Sequence, residues 1–389
     1  MKISLALAAI AVCAAAAMLP AQVPPVAGTE VEFSAREIGT GLRGGYQVIV
    51  ADLNRDGKPD IIALASGLPE LVWYENPGWE QHVIADGMRG MINVSAYDID
   101  GDGTPELALA QGFTTNAKTS TGIVSILTHE ADVKGPWTLK EIDRIPTSHR
   151  LRWVDADGSG RKWLIDAPLI GPEAAAPDYK APLSIAYYRP PEFKRETVTD
   201  TFTGLIHGLE VVSWPGVNGQ AFLSAGFMGI HLHRFVGGRW VTTNVTKGAP
   251  QEWPKSGTSD TALGRLGARR IIGAIEPWHG NEIVIYSESG TTWSRRQIDD
   301  SITDGHTIVA LDIDNDGRDE FVVGQRGAKD LMLYQAAKDG TWSRRAIDEG
   351  GMAAAGCATA DFNGDTRMDL VCIGTSTANL KIYENRGAK

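Results

Sequence analysis

Three histidines of this chain share one address in a repeating pattern. His149 stands six residues before Asp155, His207 six before Ser213 and His306 six before Asp312, and each later residue opens an equivalent loop. The same offset gives Tyr46 before Asp52. Nine residues before the loop Arg43 and Arg89 coincide, and Arg150 follows His149. Another loop reads Glu276, Pro277, Trp278, His279, Gly280, and its counterpart one unit later carries Arg326. Imidazole and phenol exchange protons near neutral pH, and arginine neutralises a carboxylate or an enolate oxygen. Such a set suits proton abstraction beside a carbonyl or carboxylate, followed by elimination. In that scheme His149 or His279 takes the proton, Arg150 and Arg89 hold the developing oxyanion, and His306 or Tyr46 protonates the leaving hydroxyl. Arg43, Glu276 and Arg326 are further substrate contacts, with Trp278 stacking on a sugar ring. The rival within the same residues is a divalent metal such as zinc on His149, His207 and His306, polarising the carbonyl.

Other chemistries lack their residues. No serine sits in a nucleophile elbow, no glycine loop cradles phosphate, and Glu276 is the single clear inward carboxylate where a glycosidase needs two. The remaining histidines, His82, His129, His231 and His233, read as surface residues on outer strands.

The loops that set the register are acidic. The clearest runs Asp52, Asn54, Asp56, Gly57, Asp60; others carry Asp98, Asp100, Asp102, Glu106, then Asp312, Asp314, Asp316, Glu320, then Asp361, Asn363, Asp365, Asp369. Alternating carboxylate and amide oxygens around a glycine bend suit calcium, which takes six to eight oxygens. A third-unit copy has Asp155, Asp157 and Ser159 but Trp163 at the ninth position, and the fourth and fifth units, around Ser213 and Gly264, have lost the acids. The bland alternative is a set of Asx turns that satisfy themselves without an ion.

What positions these loops is a repeat. Phe33, Trp79, Trp137, Phe193, Trp240, Trp293 and Trp342 are each followed five residues later by Ile or Val, at spacings of 46 to 58 residues. Each unit reads as four short strands and no helix, which is a propeller blade. We therefore expect an all-β, seven-bladed propeller of four antiparallel strands per blade, with the recurring tryptophans packed between blades. The chain ends on a third strand, Leu380 to Glu384, so residues 30–38 should supply the missing fourth strand of the last blade and remove an open edge. First strands line the channel, and their starts gather the histidines at the mouth opposite the acidic loops.

Residues 1–21, with Lys2 before an apolar run, read as a signal peptide, 22–29 as a linker and 30–389 as the propeller. The protein is then secreted or periplasmic with no membrane span; Cys13 invites a lipoprotein reading, which Val12 before it disfavours. Charged residues make up 22% of the chain and the net charge is −11, without a basic run, so nucleic acid is not the partner. We expect a small carbohydrate or a glycan as partner, and a monomer or weak homo-oligomer. Cys357 and Cys372 face each other across the last hairpin, and two buried thiols are favoured over a disulfide because a cross-strand bridge demands specific geometry.

The acidic loops resemble the FG-GAP or VCBS repeat of integrin alpha-chain propellers and many bacterial secreted proteins. That resemblance implies the propeller fold and calcium at the aspartates named above. More locally, Ser148-His149-Arg150, Pro277-Trp278-His279-Gly280 and Gly305-His306 resemble segments of the propeller domain of aldos-2-ulose dehydratase and its bacterial relatives. The implied activity is loss of water from a keto-sugar such as 1,5-anhydrofructose, with a uronate as the neighbouring substrate class. The cupin domains that follow the propeller there have no counterpart in this sequence. A non-catalytic propeller that binds glycan or protein through the same mouth stays open as the alternative.

Overall fold

A computed structural model describes residues 30–388; the leader, the linker up to residue 29 and Cys13 lie outside the described residues. The described chain forms seven four-stranded antiparallel sheets in sequence order. The first comprises Gly45–Ala51, Asp60–Ala65, Leu71–Glu75 and Glu80–Ala85. The blades thus span residues 45–85, 93–144, 148–203, 206–246, 260–299, 305–348 and 354–388.

Val31–Thr40 closes the seventh blade against Asn379–Ala388, with Ser34 opposite Glu384 and Arg36 opposite Ile382. The two ends of the described chain therefore share one sheet, and the seventh blade has the same four strands as the others.

Middle strands such as Asp60–Ala65 are buried at every position, because each blade is covered on both faces by its neighbours. A continuous apolar run is what such a strand requires. Seven apolar clusters among the described residues lie one at each contact between adjacent blades. Trp79, Trp137, Trp240, Trp293 and Trp342 pack into these clusters as the repeat implied.

The acidic loops are the hairpins between first and second strands. Asp52 accepts the N–H groups of Asp56 and Gly57 at 3.2 and 2.9 Å, and Asp312 repeats this with Asp316 and Gly317 at 3.0 and 2.9 Å. The ninth-position acid points into the blade. Asp60 accepts the N–H of Leu53 and of Asn76, and Asp369 those of Phe362 and Asn385, while Glu106 and Glu320 take Ile99 and Ile313. These carboxylates therefore brace the hairpin against the far end of the third strand or the hairpin's own start.

Three expectations are corrected. Cys357 and Cys372 form a disulfide. The register sets them directly opposite with Cα atoms 4.2 Å apart, close to a non-hydrogen-bonded antiparallel pair, so the sulfurs meet without backbone movement. His231 and His233 are buried rather than superficial, because the third strand of blade four is an inner one; His233 stacks on Phe222 and bonds Ser224. His82 and His129 are also largely covered, against Glu75 and Glu106. Finally, the fifth hairpin does not turn near Gly264, which pairs with Ile271 in mid-strand; the turn has contracted to Gly267 and Ala268.

Candidate active site in the propeller channel

The shared sequence offset has a backbone cause. In blades one, three, four and six the first strand carries a bulge at its second residue: pairing jumps from Gly45 to Gln47, Ser148 to Arg150, Ile206 to Gly208 and Gly305 to Thr307. The skipped residues are Tyr46, His149, His207 and His306. A bulge leaves its extra residue outside the ladder and re-aims the side chain, here into the channel. Blade seven has the same bulge at Ala355, whose side chain is too small to reach across but whose carbonyl serves the ring.

The four side chains and His279 form one contiguous ring. Tyr46 Oη lies 2.8 Å from His149 Nε2. Ring centroids are 5.2 Å apart for His149 and His207, 4.9 Å for His207 and His306, and 5.1 Å for His279 and His306. His149, His207 and His306 are each 1% exposed.

Hydrogen bonding decides which nitrogens hold protons. Arginine can only donate, so Arg326 Nη2 donates to His279 Nδ1 at 3.0 Å. His279 then carries its proton on Nε2 and donates it to His207 Nε2 at 3.3 Å, and His207 donates from Nδ1 to the Ser259 carbonyl at 3.2 Å. Arg150 Nη1 donates to His149 Nε2 at 3.1 Å and to Tyr46 Oη at 3.3 Å. His306 donates from Nδ1 to the Ala355 carbonyl at 2.6 Å. Its buried Nε2 has no hydrogen-bond partner among the described residues.

Burial drives His149, His207 and His306 well below the ordinary imidazole pKa of 6.5, and the Arg150 cation, or Arg326 for His306, adds to it. Burial and then Arg326 push His279 down to about 4. At neutral pH the four imidazoles are therefore uncharged, bases rather than acids.

The structure redistributes several expected roles. His149 and His279 have their lone pairs engaged by Arg150 and Arg326, so His306 is the open base. Arg43 and Arg89 are exposed in the loops before their blades, and among the described residues no side-chain hydrogen bond ties either to the ring. Glu276 is fully buried at the end of its strand, held by Arg295 at 2.9 Å, Tyr286 and Thr258; it braces blade five and cannot meet a substrate. Trp278 packs on Phe227, Tyr179 and His279, its face used by an apolar cover.

The metal-ready trio also changes. Ring nitrogens of His207, His279 and His306 lie within 4.8 Å of one another, and His149 is replaced because Tyr46 and Arg150 occupy its Nε2. His207 and His306 tie Nδ1–H to backbone carbonyls, which leaves Nε2 free to ligate. For His279 to match them, Nδ1 would pass from Arg326 to Asp304, whose Oδ1 is 3.5 Å away. In the hairpins, carboxylate oxygens of Asp98, Asp100 and Glu106, and separately of Asp312, Asp314 and Asp316, lie within 4.8 Å of one another.

Asp304, Asp260 and Arg152 are site residues that the sequence pattern does not single out. Asp304 pairs with Arg326 at 2.8 Å and sits two residues before His306, a spacing visible in the sequence. Asp260 falls outside the shared offset because the contracted fifth hairpin shifts the register of its blade.

The fold and its hairpins define a seven-bladed β-propeller with FG-GAP-like repeats. The chain matches the FG-GAP-like repeat family over residues 52–109 and 312–372, and the beta-propeller domain family of aldos-2-ulose dehydratase over residues 121–289. It is 26% identical over 237 residues to aldos-2-ulose dehydratase of Phanerodontia chrysosporium, an alignment covering 53% of this chain and 26% of that enzyme. The matched part is thus about a quarter of that relative's length. Solved structures share the fold alone: BBS1N in complex with ARL6DN at 12% identity and TM-score 0.57, covering 90% of this chain and 96% of that one, and the Dos1 propeller at 9% and 0.53, covering 85% and 76%.

Proposed function

We propose that this protein is an exported carbon-oxygen lyase that removes water or an alkoxide beside the carbonyl of a keto-sugar or the carboxylate of a uronate. One observation carries the reading: the unpartnered, buried Nε2 of His306 lies on one cavity wall with Tyr46 and Arg150. Its Nδ1–H is locked on the Ala355 carbonyl, so Nε2 is the lone pair available.

In this mechanism His306 Nε2 takes the proton from the carbon next to the carbonyl, and the C–H electrons move into an enolate. Arg150 neutralises the enolate oxygen. The C–O bond at the neighbouring carbon then breaks, its electrons leaving with the oxygen, and Tyr46 supplies the proton that releases it as water or alcohol. Arg150, already in reach of Tyr46 Oη at 3.3 Å, stabilises the phenolate left behind. Similarity to a dehydratase propeller supports the reaction class. The Cys357–Cys372 disulfide supports an oxidising compartment.

A second reading of the same ring is favoured by the convergence of His207, His279 and His306. A zinc-like ion on those three nitrogens would polarise the ketone. Structural calcium is proposed for the Asp98 and Asp312 hairpins.

The test is to incubate the protein with 1,5-anhydrofructose, 3-keto-glycosides and uronate oligosaccharides and follow ultraviolet absorbance for a new conjugated double bond. The expected result is a rise with wild type that His306→Ala abolishes. No rise on any substrate, from folded protein, overturns the lyase in favour of a glycan-binding propeller.

A further inference from the structure

Two ends of the channel differ in access. At the histidine end, the first-strand residues flanking the ring are buried, as are Ser148 to Leu151, Ile206 to Leu209 and Gly305 to Ile308. Loops 112–122, 169–181 and 247–259 fold over that mouth, and Leu169, Ile170, Leu205 and Phe227 pack with Trp253 and Trp278 into an eighth apolar cluster. Toward the acidic hairpins the first strands of blades one and seven become half-exposed, at Ile49 to Ala51 and Gly356 to Ala360. Below the ring lies a cavity of about 430 Å³ whose inner wall is Tyr46, Arg150 and His306 and whose side walls include Asn93, Arg152 and Asp260. His279, Asp304 and Arg326 do not line it.

The side walls are built for a polyhydroxylated ligand. Asp260 accepts the Thr261 N–H at 3.0 Å and, as a carboxylate with about four acceptor sites, retains capacity for hydroxyl donors. Arg152 spends Nη1 on Asn93 Oδ1 at 3.1 Å and the Leu151 carbonyl at 2.8 Å, leaving further N–H donors of its planar fork. Arg150 stands above them at the ring. Acceptor, donors and a cation thus face one chamber, and its volume lies within the ordinary range of about 300–1,000 Å³ for small-ligand pockets.

We propose that a single six-membered sugar ring bearing a ketone enters this chamber from the acidic-hairpin end, with its hydroxyls on Asp260 and Arg152 and its carbonyl toward Arg150. This rests on the lyase reading for what happens at His306, but not for binding. Asp260 and Arg152 then determine specificity, selecting sugars whose hydroxyls can bridge them. The sugar reaches the histidines from below, and the apolar cover keeps bulk water from the other side.

The experiment measures calorimetric binding of 1,5-anhydrofructose and of glucuronate to wild type, Asp260→Ala, Thr359→Trp and Lys255→Trp, with turnover recorded in parallel. Thr359 lines the cavity toward the hairpins and is half-exposed, so tryptophan there obstructs entry; Lys255 is an exposed residue of loop 247–259, beside Tyr179, Phe227 and Trp278 of the cover. We expect Asp260→Ala and Thr359→Trp, with unchanged melting temperature, to weaken binding at least tenfold, and Lys255→Trp to bind as wild type. Binding that depends on Asp260 and Thr359 without any product would support the chamber while removing the lyase. Wild-type affinity and kcat/KM in both channel variants, or no binding of either sugar by wild type, would overturn the chamber. A tenfold loss in Lys255→Trp alone would overturn the route.

Discussion

The two ends of the channel are built by opposite rules. At the hairpin end four blades, the first, second, sixth and seventh, repeat one solution, in which aspartates accept backbone N–H groups of their own turn and the ninth-position acid reaches into the blade. At the histidine end nothing repeats except a bulge, and the polar groups answer to residues far away in the chain: His149 to Tyr46, His207 to His279, His306 to Ala355. Local satisfaction makes the hairpins interchangeable staples. Long-range satisfaction makes the ring a single object, in which loss of one member changes the tautomer or the charge of the next.

The contrast predicts that damage at one end is read as activity and at the other as stability. The largest effect is expected from His306→Ala, which should lower kcat by about 10³-fold, within the range for a lost general base, with an unchanged melting curve. A variant that melts early instead would make the ring a structural plug. Next in size is reduction of the Cys357–Cys372 bridge, or its replacement by serines. Its ends are 15 residues apart, and closure of such a loop is worth about 3 kcal/mol in the chain-entropy account, to be read from denaturant midpoints. Chelation should follow. If calcium staples the hairpins, removing it from about 100-fold above its Kd costs ~2.7 kcal/mol, and Asp98→Asn with Asp312→Asn should abolish that calcium response without altering turnover.

Two pH effects sharpen the comparison further. Because burial holds His306 well below 6.5, the base remains unprotonated as pH falls through the usual histidine range. The acid limb of kcat/KM should therefore lie below pH 6.5, and a limb at or above it would exclude this imidazole. The second pH effect concerns Asp166, which burial pushes from 3.8 up to about 7 against the opposing hydrogen bond from Ser148. The folded state then keeps a proton that the unfolded chain releases, so the contribution of Asp166 to stability is greatest below about 3.8 and falls as pH rises to about 7. One proton gives a slope of at most ~1.4 kcal/mol per pH unit. Asp166→Asn should flatten that slope in urea titrations across the window.

Much of this architecture is written locally and can be read so. Seven aromatics with an aliphatic five residues on, apolar runs bounded by acidic turns, and a missing fourth strand at one end with a spare one at the other determine blade number and closure. The same regularity places Tyr46, His149, His207 and His306 together, because equal offsets in equivalent blades converge on one circle. Offsets fail where a blade departs from the pattern. The contracted turn at Gly267 and Ala268 hid Asp260, and strand alternation at Glu276 turned a presumed mouth carboxylate inward to Arg295.

The sequence by itself thus determined the ring of blades, its closing strand and the histidine address, since periodic burial and turn chemistry are properties of neighbours in the chain. Only the tertiary structure decided the working details. Which imidazole nitrogen is open, which three histidines converge, whether two thiols meet and which end of the channel admits solvent all depend on distances between blades. Those distances are set by packing across seven apolar contacts, and no spacing along the chain encodes them.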